Sequence, residues 1–304
     1  MVNVLIRMRL LTPPVITLTL AQAIHKAAQT LSEQGIDHAR LDAELLLSHR
    51  LHRDRVWIIT HIHDALGEKD LKAFEDLVER RAKREPLQHI RGTQEFWGLD
   101  FMVTPDVLIP RPETELVVES AIKIAQQLRT GVTFLDLCTG SGCIAICLAH
   151  DCPSARVLAT DASSKALVVA RENANRNSVA DRITFLHGDL FEPLESLDIH
   201  GQIDIIVTNP PYIPSGDLSM LQPEVRDFEP EMALIAGPVG TEIASTIIGQ
   251  APAFLKQGGA LIMEMGMGQA DALAAMVRAD ARYASLEILK DLAGIERVIK
   301  ARKA

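Results

Sequence analysis

The sequence predicts an α/β protein in which a parallel sheet flanked by helices follows a small amino-terminal helical bundle, with a β-hairpin joining the two. Three observations predict this fold class. Residues 17–85 repeat apolar side chains at helical spacing. Two short aromatic and β-branched runs then surround Gly98, as in a hairpin. From Val132 onward, short apolar runs alternate with helical patterns, as in a sheet covered on both faces.

The length and composition are those of a globular protein with two domains. At roughly 100–200 residues per domain, a chain of 304 residues suits two domains. Apolar residues make up 47% of the chain and aromatic residues 4%, which excludes disordered, collagen-like and disulfide-scaffold proteins. The predicted domains are residues 1–90 for the helical bundle, 91–112 for the hairpin linker and 113–304 for the α/β domain.

The sequence has no feature of a membrane-spanning or secreted protein. No apolar run approaches the ~20 residues that a membrane-spanning helix needs. The segment 1–14 is apolar, but it contains Arg7 and Arg9 and lacks the small-residue cleavage site of a secretory signal. We therefore expect a cytoplasmic protein.

Three amphipathic helices are predicted in the amino-terminal domain. Thr19 is suited to cap the first helix, Gly35 to end it, and Asp37 to begin the second. A third helix is expected from Glu68 to Arg84. The apolar positions at helical spacing are Leu20, Ala23, Ile24, Ala27, Ala28, Leu31, Leu41, Leu45, Leu46, Leu71, Phe74, Leu77 and Val78. Because this domain has no candidate nucleophile or phosphate-binding loop, its expected role is that of a scaffold or a partner-binding domain.

The α/β domain is predicted to alternate strands and helices. The strands expected in the sheet have the sequences VTFLDL, RVLAT, RITFLH, IDIIVT and GALIMEM. Helices are expected to begin at Gly142 and at Ser163, and a third to cover residues 241–256. The segments ASLEILKD and RVIKAR surround Gly294 and predict a terminal antiparallel hairpin.

A loop with two glycines joins the first predicted strand to a predicted helix. It reads DLCTGSGCIA from Asp136 to Ala145, and glycines at such a junction let a ligand approach the backbone N–H groups. A tight strand-to-helix turn without a ligand is the plainer interpretation. Two acidic residues favour a nucleotide-type ligand. Asp161 ends the second strand, where it suits ribose hydroxyls, and Asp189 follows the third strand, where it suits an adenine amino group.

Asp136 favours S-adenosylmethionine over NAD, although both ligands would present adenosine to this crevice. Its carboxylate lies at the end of the first strand, four residues before Gly140. A carboxylate at this place suits a ligand that has an ammonium group, whereas it would repel a pyrophosphate. The sequence therefore predicts S-adenosylmethionine as the cofactor.

The segment Asn209-Pro210-Pro211-Tyr212 follows the strand IDIIVT, so it is expected at the carboxyl edge of the sheet, where open α/β folds bind ligands. Neither proline has an N–H group, so the Pro210 carbonyl is a rigid acceptor, and the Asn209 side-chain oxygen supplies a second. Two acceptors can hold both hydrogens of a planar NH₂ group. Tyr212 can stack on the amide or base that carries this group. An inert proline-containing loop is the alternative interpretation.

Such a pair of acceptors suits methyl transfer to a weakly nucleophilic nitrogen. Holding both N–H bonds turns the nitrogen lone pair toward the sulfonium methyl group, and positioning of this type is worth ~7–11 kcal/mol. The acceptors also stabilise the positive charge that develops on nitrogen. No strong general base is required, because the methylated nitrogen becomes acidic and loses its proton to water. The predicted catalytic residues are Asn209, Pro210 and Tyr212.

No metal site is indicated, and the charge does not favour nucleic acid. The four cysteines between Cys138 and Cys152 lack the closely spaced pairs of zinc sites. Residues 1–90 carry 13 Lys+Arg and 12 Asp+Glu, whereas residues 91–304 carry 18 and 28, a net charge of −10. A protein that binds nucleic acid through its phosphates normally has a basic face.

The motifs together resemble the HemK-type peptide chain release factor N5-glutamine methyltransferases, over nearly the whole chain. Besides the two loops above, the segments that carry the resemblance are residues 84–115 with the sequence IPRPETE near their end, VRDFEPEMAL at 225–234 and DLAGIERV at 291–298. The resemblance implies a Rossmann-like S-adenosylmethionine-dependent methyltransferase fold. It also implies methylation of the glutamine in the Gly-Gly-Gln tripeptide of class 1 release factors, which tunes translation termination.

The resemblance further implies roles for single residues. Asn209 to Tyr212, including Pro211, would hold the glutamine side chain, and the amino-terminal helices would bind the rest of the release factor. The cofactor-binding residues that the resemblance implies are Cys138, Thr139, Gly140, Ser141, Gly142, Asp161, Leu190 and Asn209, and the carboxylates of Asp136 and Asp189 described above add two more. Cys138 replaces an expected glycine and Leu190 an aromatic residue of some relatives, so both are expected to affect cofactor affinity more than chemistry. We expect S-adenosylhomocysteine as the product, a monomer, and no stable nucleic-acid or membrane partner.

Two interpretations remain open for the charged residues of IPRPETE. Arg111, Glu113 and Glu115 either line the mouth of the site or belong to an ordinary helix start after Pro112. Glu264, at the end of GALIMEM, lies on the carboxyl edge of the sheet, where a structural role is the plainer interpretation.

Three other functions compete with release-factor methylation. A nucleic-acid exocyclic-amine methyltransferase would use the same Asn-Pro-Pro-Tyr loop, but the acidic carboxyl-terminal domain disfavours it. A release-factor-binding protein without turnover would not need Asn209 and Asp161. An NAD oxidoreductase would leave the Asn-Pro-Pro-Tyr loop unexplained.

Overall fold

The described part of the chain forms two compact units that divide between Arg91 and Gly92. The computed structural model describes residues 18–128 and 131–304. The interpretation of segment 1–14 as lacking a secretory signal therefore lies outside the described residues. Within the described residues, no helix combines the length and apolar character needed to cross a membrane.

The amino-terminal unit is helical throughout its described part. Leu31, Leu46, Ile58 and Phe74 come from four different helices and are almost completely buried in one core. The two shortest helices were not predicted, because five or six residues are too few to show helical periodicity. The helices are α1 (Leu20–Glu33), α2 (Ala39–Leu51), α3 (Arg55–Thr60), α4 (Glu68–Ala82) and α5 (Leu87–Arg91).

The predicted start of α1 at Thr19 is confirmed, and the predicted start of α2 at Asp37 is wrong. The Thr19 hydroxyl accepts a hydrogen bond from the Gln22 backbone N–H, and the Gln22 side chain accepts one from Thr19, which forms a capping box at the start of α1. Gly35, with φ +71°, follows the end of this helix. The N-cap of α2 is His38 rather than Asp37. The helix α4 ends before Arg84, because φ +70° at that residue is incompatible with a helix.

The predicted hairpin is present and belongs to the second unit. Strands β1 (Thr93–Phe96) and β2 (Leu99–Met102) pair in antiparallel register around a two-residue turn. Both turn residues, Trp97 and Gly98, have positive φ values of 55° and 72°, as a type I′ turn requires. Phe96 and Phe101 pack in the core that the helices and the large sheet enclose.

The second unit contains a seven-stranded sheet with the order β10-β11-β9-β6-β3-β4-β5. The five strands from β9 to β5 are parallel, and β11 pairs antiparallel with both of its neighbours. All the predicted strands are confirmed, including the terminal hairpin. The strands of this sheet are β3 (Thr133–Leu137), β4 (Arg156–Asp161), β5 (Ile183–His187), β6 (Ile203–Thr208), β9 (Leu255–Glu264), β10 (Tyr283–Lys290) and β11 (Glu296–Lys303). A separate short parallel pair joins β7 (Ile213–Pro214) and β8 (Ile235–Gly237).

Helices cover both faces of the large sheet. Adjacent residues of β3 face opposite sides, so Phe134 packs in the core with α6, α7 and α8, and Leu135 packs in the core with α10 and α11. The helices of this unit are α6 (Glu115–Ala125), α7 (Cys143–Asp151), α8 (Ser164–Arg176), α9 (Pro223–Arg226), α10 (Glu242–Phe254) and α11 (Ala270–Ala279). The starts expected at Gly142 and Ser163 are confirmed, because these residues are the N-caps of α7 and α8.

The strand order places a ligand-binding edge between β3 and β6. The chain runs from β3 to β4 and β5 on one side, and then returns to β6 on the other side of β3. In open parallel sheets, such a reversal leaves a crevice at the carboxyl ends of the two strands. The loop after β3 carries Gly140 and Gly142, and Asn209 directly follows β6.

Candidate active site

A cavity of about 350 Å³ lies at this edge of the sheet, within the usual range of small-molecule sites. It brings together most of the residues that the sequence predicted. The predicted residues on its wall are Cys138, Thr139, Gly140, Ser141, Asp161, Asp189, Leu190, Asn209 and Pro211. The predicted residues that are not on its wall are Asp136, Gly142, Pro210 and Tyr212.

The loop after β3 adopts a backbone that its glycines permit. Cys138, Gly140 and Gly142 all have positive φ, with values of 57°, 55° and 82°. Cys138 thus adopts a conformation that glycine favours, at the position where the resemblance led us to expect glycine. At Gly142 a Cβ atom would lie 3.0 Å from Ile146 Cδ1 and 3.1 Å from Ala170 Cβ, so only glycine allows α7 and α8 to approach this closely.

Asp161 holds the glycine loop and the start of α8 together. Its Oδ2 accepts a hydrogen bond of 2.8 Å from Gly140 N, and its Oδ1 accepts one of 2.8 Å from Ser163 N. Burial raises the pKa of this carboxyl, and the two backbone hydrogen bonds oppose the shift. Each oxygen still has a lone pair for a ligand hydroxyl at the cavity wall.

Asp136 supports the loop from beneath instead of forming part of the cavity wall. Its side chain is completely buried, and Oδ2 accepts hydrogen bonds from Thr139 Oγ1 at 2.6 Å and from Ala145 N at 3.2 Å. Burial raises the pKa of its carboxyl to about 7. The expected contact with a ligand ammonium group therefore stays a prediction, and the role that the structure shows is to fix the loop.

Asn209 is part of a hydrogen-bonded chain that reaches the cavity from inside the protein. Its Nδ2 donates to Thr114 Oγ1 at 3.1 Å, and this hydroxyl donates to Glu264 Oε2 at 2.6 Å. Pro210 and Pro211 have no N–H, as the sequence required. No donor in residues 18–128 or 131–304 forms a hydrogen bond with the Pro210 carbonyl oxygen. The Asn209 side-chain oxygen and this carbonyl are thus two acceptors at adjacent residues.

Tyr212 is held by the start of α11, away from the cavity wall. The Gln269 side chain donates to Tyr212 O at 2.9 Å and to Gly240 O at 3.0 Å, and it accepts from Gly266 N. The tyrosine ring lies against Gly266, where a Cβ atom would come within 3.1 Å of it. Burial raises the pKa of Tyr212 to about 12, so the phenol is neutral. Its stacking on a substrate amide stays a prediction.

The charged residues of IPRPETE have different roles. Arg111 lies on the cavity wall and forms an ion pair of 2.5 Å with the buried carboxylate of Glu229, which joins IPRPETE to the segment VRDFEPEMAL. Glu115 accepts a hydrogen bond from Trp97 N and so fixes the hairpin turn. Neither Glu113 nor Glu115 is on the cavity wall.

Sequence reasoning missed several residues that build the site. Thr114 lies in IPRPETE and Glu229 in VRDFEPEMAL, two segments that carry the family resemblance. Their roles depend on contacts with Asn209 and Arg111, which are far away in the sequence. Asn173 is fully buried in α8 and bonds Met102 and Ser141, which ties the hairpin and the glycine loop together. No group of His, Cys, Asp and Glu in the described chain is arranged to hold a metal ion.

Comparisons with known proteins cover both units. The model of the PrmC N-terminal domain matches residues 22–92, and that of the methyltransferase small domain matches residues 116–221. The hMettl16 catalytic domain has a similar structure, with a TM-score of 0.55 at 18% identity, and the match covers 74% of this chain and 81% of that one. This likeness shows the fold alone. The predicted methyltransferase fold class is confirmed.

Two relatives match almost the whole chain. A release factor glutamine methyltransferase of Geobacter sulfurreducens is 44% identical over 272 residues, which cover 90% of this chain and 92% of the relative. The protein of the same name from Nitratidesulfovibrio vulgaris is 41% identical over 287 residues, which cover 94% and 95%. On this identity and coverage, the chain belongs to the release factor glutamine methyltransferase family.

Proposed function

We propose that this chain transfers a methyl group from S-adenosylmethionine to the side-chain amide nitrogen of the glutamine in the Gly-Gly-Gln tripeptide of class 1 peptide chain release factors. The relatives that match nearly the whole chain support this reaction. The observation that carries the proposal is the orientation of Asn209. Its NH₂ group is engaged by Thr114, which leaves its oxygen and the Pro210 carbonyl as acceptors for a substrate NH₂ group.

The residues at the cavity fit S-adenosylmethionine. Asp161 has free lone pairs for a ribose diol, and Asp189 is an acceptor for an adenine amino group. Leu190 and Ile144 add apolar surface for the adenine ring. The glycine loop lets a ligand approach its backbone closely, because Gly140 has no side chain there.

The chemistry of these residues is positioning and electrostatic stabilisation. S-adenosylmethionine supplies an electrophilic methyl carbon on a sulfonium group. Asn209 Oδ1 and the Pro210 carbonyl oxygen each accept a hydrogen bond from one N–H group of the glutamine carboxamide. Holding both N–H groups directs the nitrogen lone pair out of the amide plane. The nitrogen–methyl bond forms as the sulfur–methyl bond breaks, and the nitrogen proton leaves to solvent. S-adenosylhomocysteine is the second product.

The amino-terminal unit is proposed to bind the body of the release factor. It matches the PrmC N-terminal domain and has a hydrophobic core of its own, and none of its described residues, 18–91, lies on the cavity wall. The alignments cover 92% and 95% of the two relatives, so most of this unit has a counterpart in them. A domain that takes no part in the chemistry is suited to substrate docking. The exocyclic-amine alternative is not favoured, since the relatives that match nearly the whole chain bear the release-factor name.

The test is methyl transfer from S-adenosylmethionine that carries a radioactive methyl group. Purified protein is incubated with a class 1 release factor, with the same factor carrying a Gln→Ala change in the tripeptide, and with tRNA, rRNA and DNA. We expect label only in the unchanged factor. Label in a nucleic acid but not in the factor would support the amine alternative, and binding of the factor without any label would support a protein without turnover.

A further inference from the structure

Three side chains from three elements form a hydrogen-bonded relay that runs from the cavity wall into the protein interior. Asn209 follows β6, Thr114 precedes α6, and Glu264 ends β9. Thr114 is 2% exposed and Glu264 is 3% exposed. Their hydrogen bond of 2.6 Å, and the 3.1 Å bond from Asn209, are therefore largely shielded from bulk water.

The relay has a direction, because a hydroxyl group carries one proton. An ionised carboxylate can only accept, so the Thr114 proton is committed to Glu264. The Thr114 oxygen then offers Asn209 a lone pair and no proton. The NH₂ end of the Asn209 amide must face Thr114, and its oxygen must face the other way.

We infer that Thr114 and Glu264 are positioning residues that fix the orientation of the Asn209 amide and thereby present its oxygen to the substrate. This inference rests on the proposed function, since the orientation matters only if the substrate offers an NH₂ group. With the amide reversed, the Asn209 NH₂ group would face the substrate NH₂ group, and two donors cannot bond each other. Thr114 and Glu264 act through Asn209 and do not touch the reacting atoms themselves.

The protonation state of Glu264 sets the direction of the relay. Burial raises the pKa of its carboxyl to about 7, and the hydrogen bond from Thr114 opposes this shift. The groups whose charges act on Glu264 are Glu113, which raises its pKa, and Arg297 and Arg111, which lower it. Its own charge acts in turn on the neutral phenol of Tyr212. A neutral Glu264 can donate to Thr114, which frees the threonine proton for Asn209 Oδ1 and stabilises the reversed amide.

The first experiment compares Thr114→Val with Thr114→Ser. Valine has nearly the same shape but neither donates nor accepts, so we expect kcat on the release factor to fall about 10–100-fold, which corresponds to leaving a buried hydrogen-bonding group without its partner. Serine keeps the hydroxyl, so we expect kcat to return close to that of the unchanged enzyme. The dissociation constant of S-adenosylhomocysteine, measured by calorimetry, should change little in either variant.

Thr208→Val is the matched control. Thr208 is likewise buried beside the cavity. Its hydroxyl donates to the Leu137 carbonyl at 2.8 Å and also contacts the Cys138 thiol, so the same substitution removes buried hydrogen bonding that is not part of the relay. We expect a similar loss of thermal stability without the loss of kcat. If Thr114→Val and Thr208→Val lower kcat equally, or if Thr114→Val stays within threefold of the unchanged enzyme, the inference is wrong.

Glu264→Gln provides a test that does not depend on Thr114 variants folding. In the unchanged enzyme, kcat should decline as the pH falls through about 7, because Glu264 becomes protonated. Glutamine cannot titrate, and its side-chain oxygen can still accept from Thr114, so the variant should retain activity and lose this acidic limb. An acidic limb that persists unchanged in Glu264→Gln would overturn the inference. An unchanged enzyme that methylates no release factor would instead overturn the proposed function.

Discussion

At the scale of single residues, the proposed reaction depends on what Asn209 offers to the substrate. We expect Asn209→Ala to lower kcat about 100–1,000-fold, comparable to the loss of one preorganised hydrogen-bonding group from an active site. Binding of S-adenosylhomocysteine should weaken much less, because Asp161 and the glycine loop remain. Steady-state methylation and calorimetry measure the two effects separately.

Asn177→Ala serves as the control for that substitution. Asn177 follows α8 and bonds the Asp100 and Asn173 carbonyls, so its loss removes an asparagine side chain outside the cavity. Its turnover should equal that of the unchanged protein. Full turnover in Asn209→Ala would show that Asn209 does not take part in the reaction.

Because the carboxyl of Asp136 is buried, we expect the free energy of unfolding to depend on pH through this residue. Its pKa is about 7 in the folded protein and near 3.8 when the chain is unfolded, so the folded state holds the proton more tightly. The stability that this group contributes is complete below pH ~4 and is lost as the pH rises through 7. Asp136→Asn should remove this loss. The free energy of unfolding of the variant minus that of the unchanged protein should therefore increase by on the order of 3 kcal/mol between pH 4.5 and pH 8.

Urea unfolding of both proteins at the two pH values measures the difference. The comparison isolates Asp136, because the buried Glu264 titrates in both proteins. A difference in stability that is independent of pH would show that Asp136 is already ionised in the folded protein.

At the scale of elements, long patterns were predictable and short ones were not. The buried strands β3 and β6 are nearly continuous apolar runs, as parallel strands covered on both faces require. The start of α1 was predictable because Thr19 and Gln22 are local neighbours that cap each other. The α2 boundary was misjudged, since Asp37 has the residue type of a cap but His38 occupies that position. The pair β7–β8 exists through tertiary pairing of two very short segments.

The close approach of α7 to α8 is an element-scale feature that a substitution can test. In Gly142→Ala the new Cβ would meet Ile146 and Ala170 in addition to the strain of a positive φ. We expect a loss of stability of about 2–4 kcal/mol from strain and overpacking together. Gly258→Ala is the matched control, because φ at Gly258 is +75° but no atom lies within 4 Å of the added Cβ. Its loss should be only about 1 kcal/mol. Equal losses in thermal or urea unfolding would mean that the helix contact needs no glycine at residue 142.

At the scale of the whole molecule, the two units have different roles in the proposed reaction: the second binds the cofactor and the glutamine, and the first binds the rest of the release factor. Among residues 18–128 and 131–304, all those on the cavity wall belong to the second unit, and each unit has its own hydrophobic core. We expect a fragment of residues 92–304 to bind S-adenosylhomocysteine with nearly the affinity of the full chain. Its kcat/KM on a release factor should fall by at least about 100-fold, since docking contacts supply binding energy away from the reacting atoms. If kcat/KM of the fragment equals that of the full chain, the amino-terminal unit does not bind the release factor as proposed.

The site was predictable where local sequence determines it. The glycines permit backbone conformations that other residues avoid, and the two prolines fix φ and remove donors, so their position at strand ends already indicated a ligand-binding edge. Thr114, Arg111 and Gln269 act through partners that lie 95, 118 and 57 residues away in the sequence. Such contacts exist only once the sheet has formed. For the same reason the sequence did not reveal the hydrogen bonds by which Asp136 fixes the loop, and its expected contact with a ligand ammonium group stays a prediction.

The most direct measurement is tandem mass spectrometry of a release factor that has been incubated with the protein and S-adenosylmethionine. We expect one added methyl group, located on the side-chain nitrogen of the tripeptide glutamine, and at least about 100-fold less of it when Asn209→Ala replaces the unchanged enzyme for the same time. A methyl group on another residue of the factor, or equal methylation by the Asn209→Ala variant, would contradict the assignment of the carboxamide to the acceptors of Asn209 and Pro210.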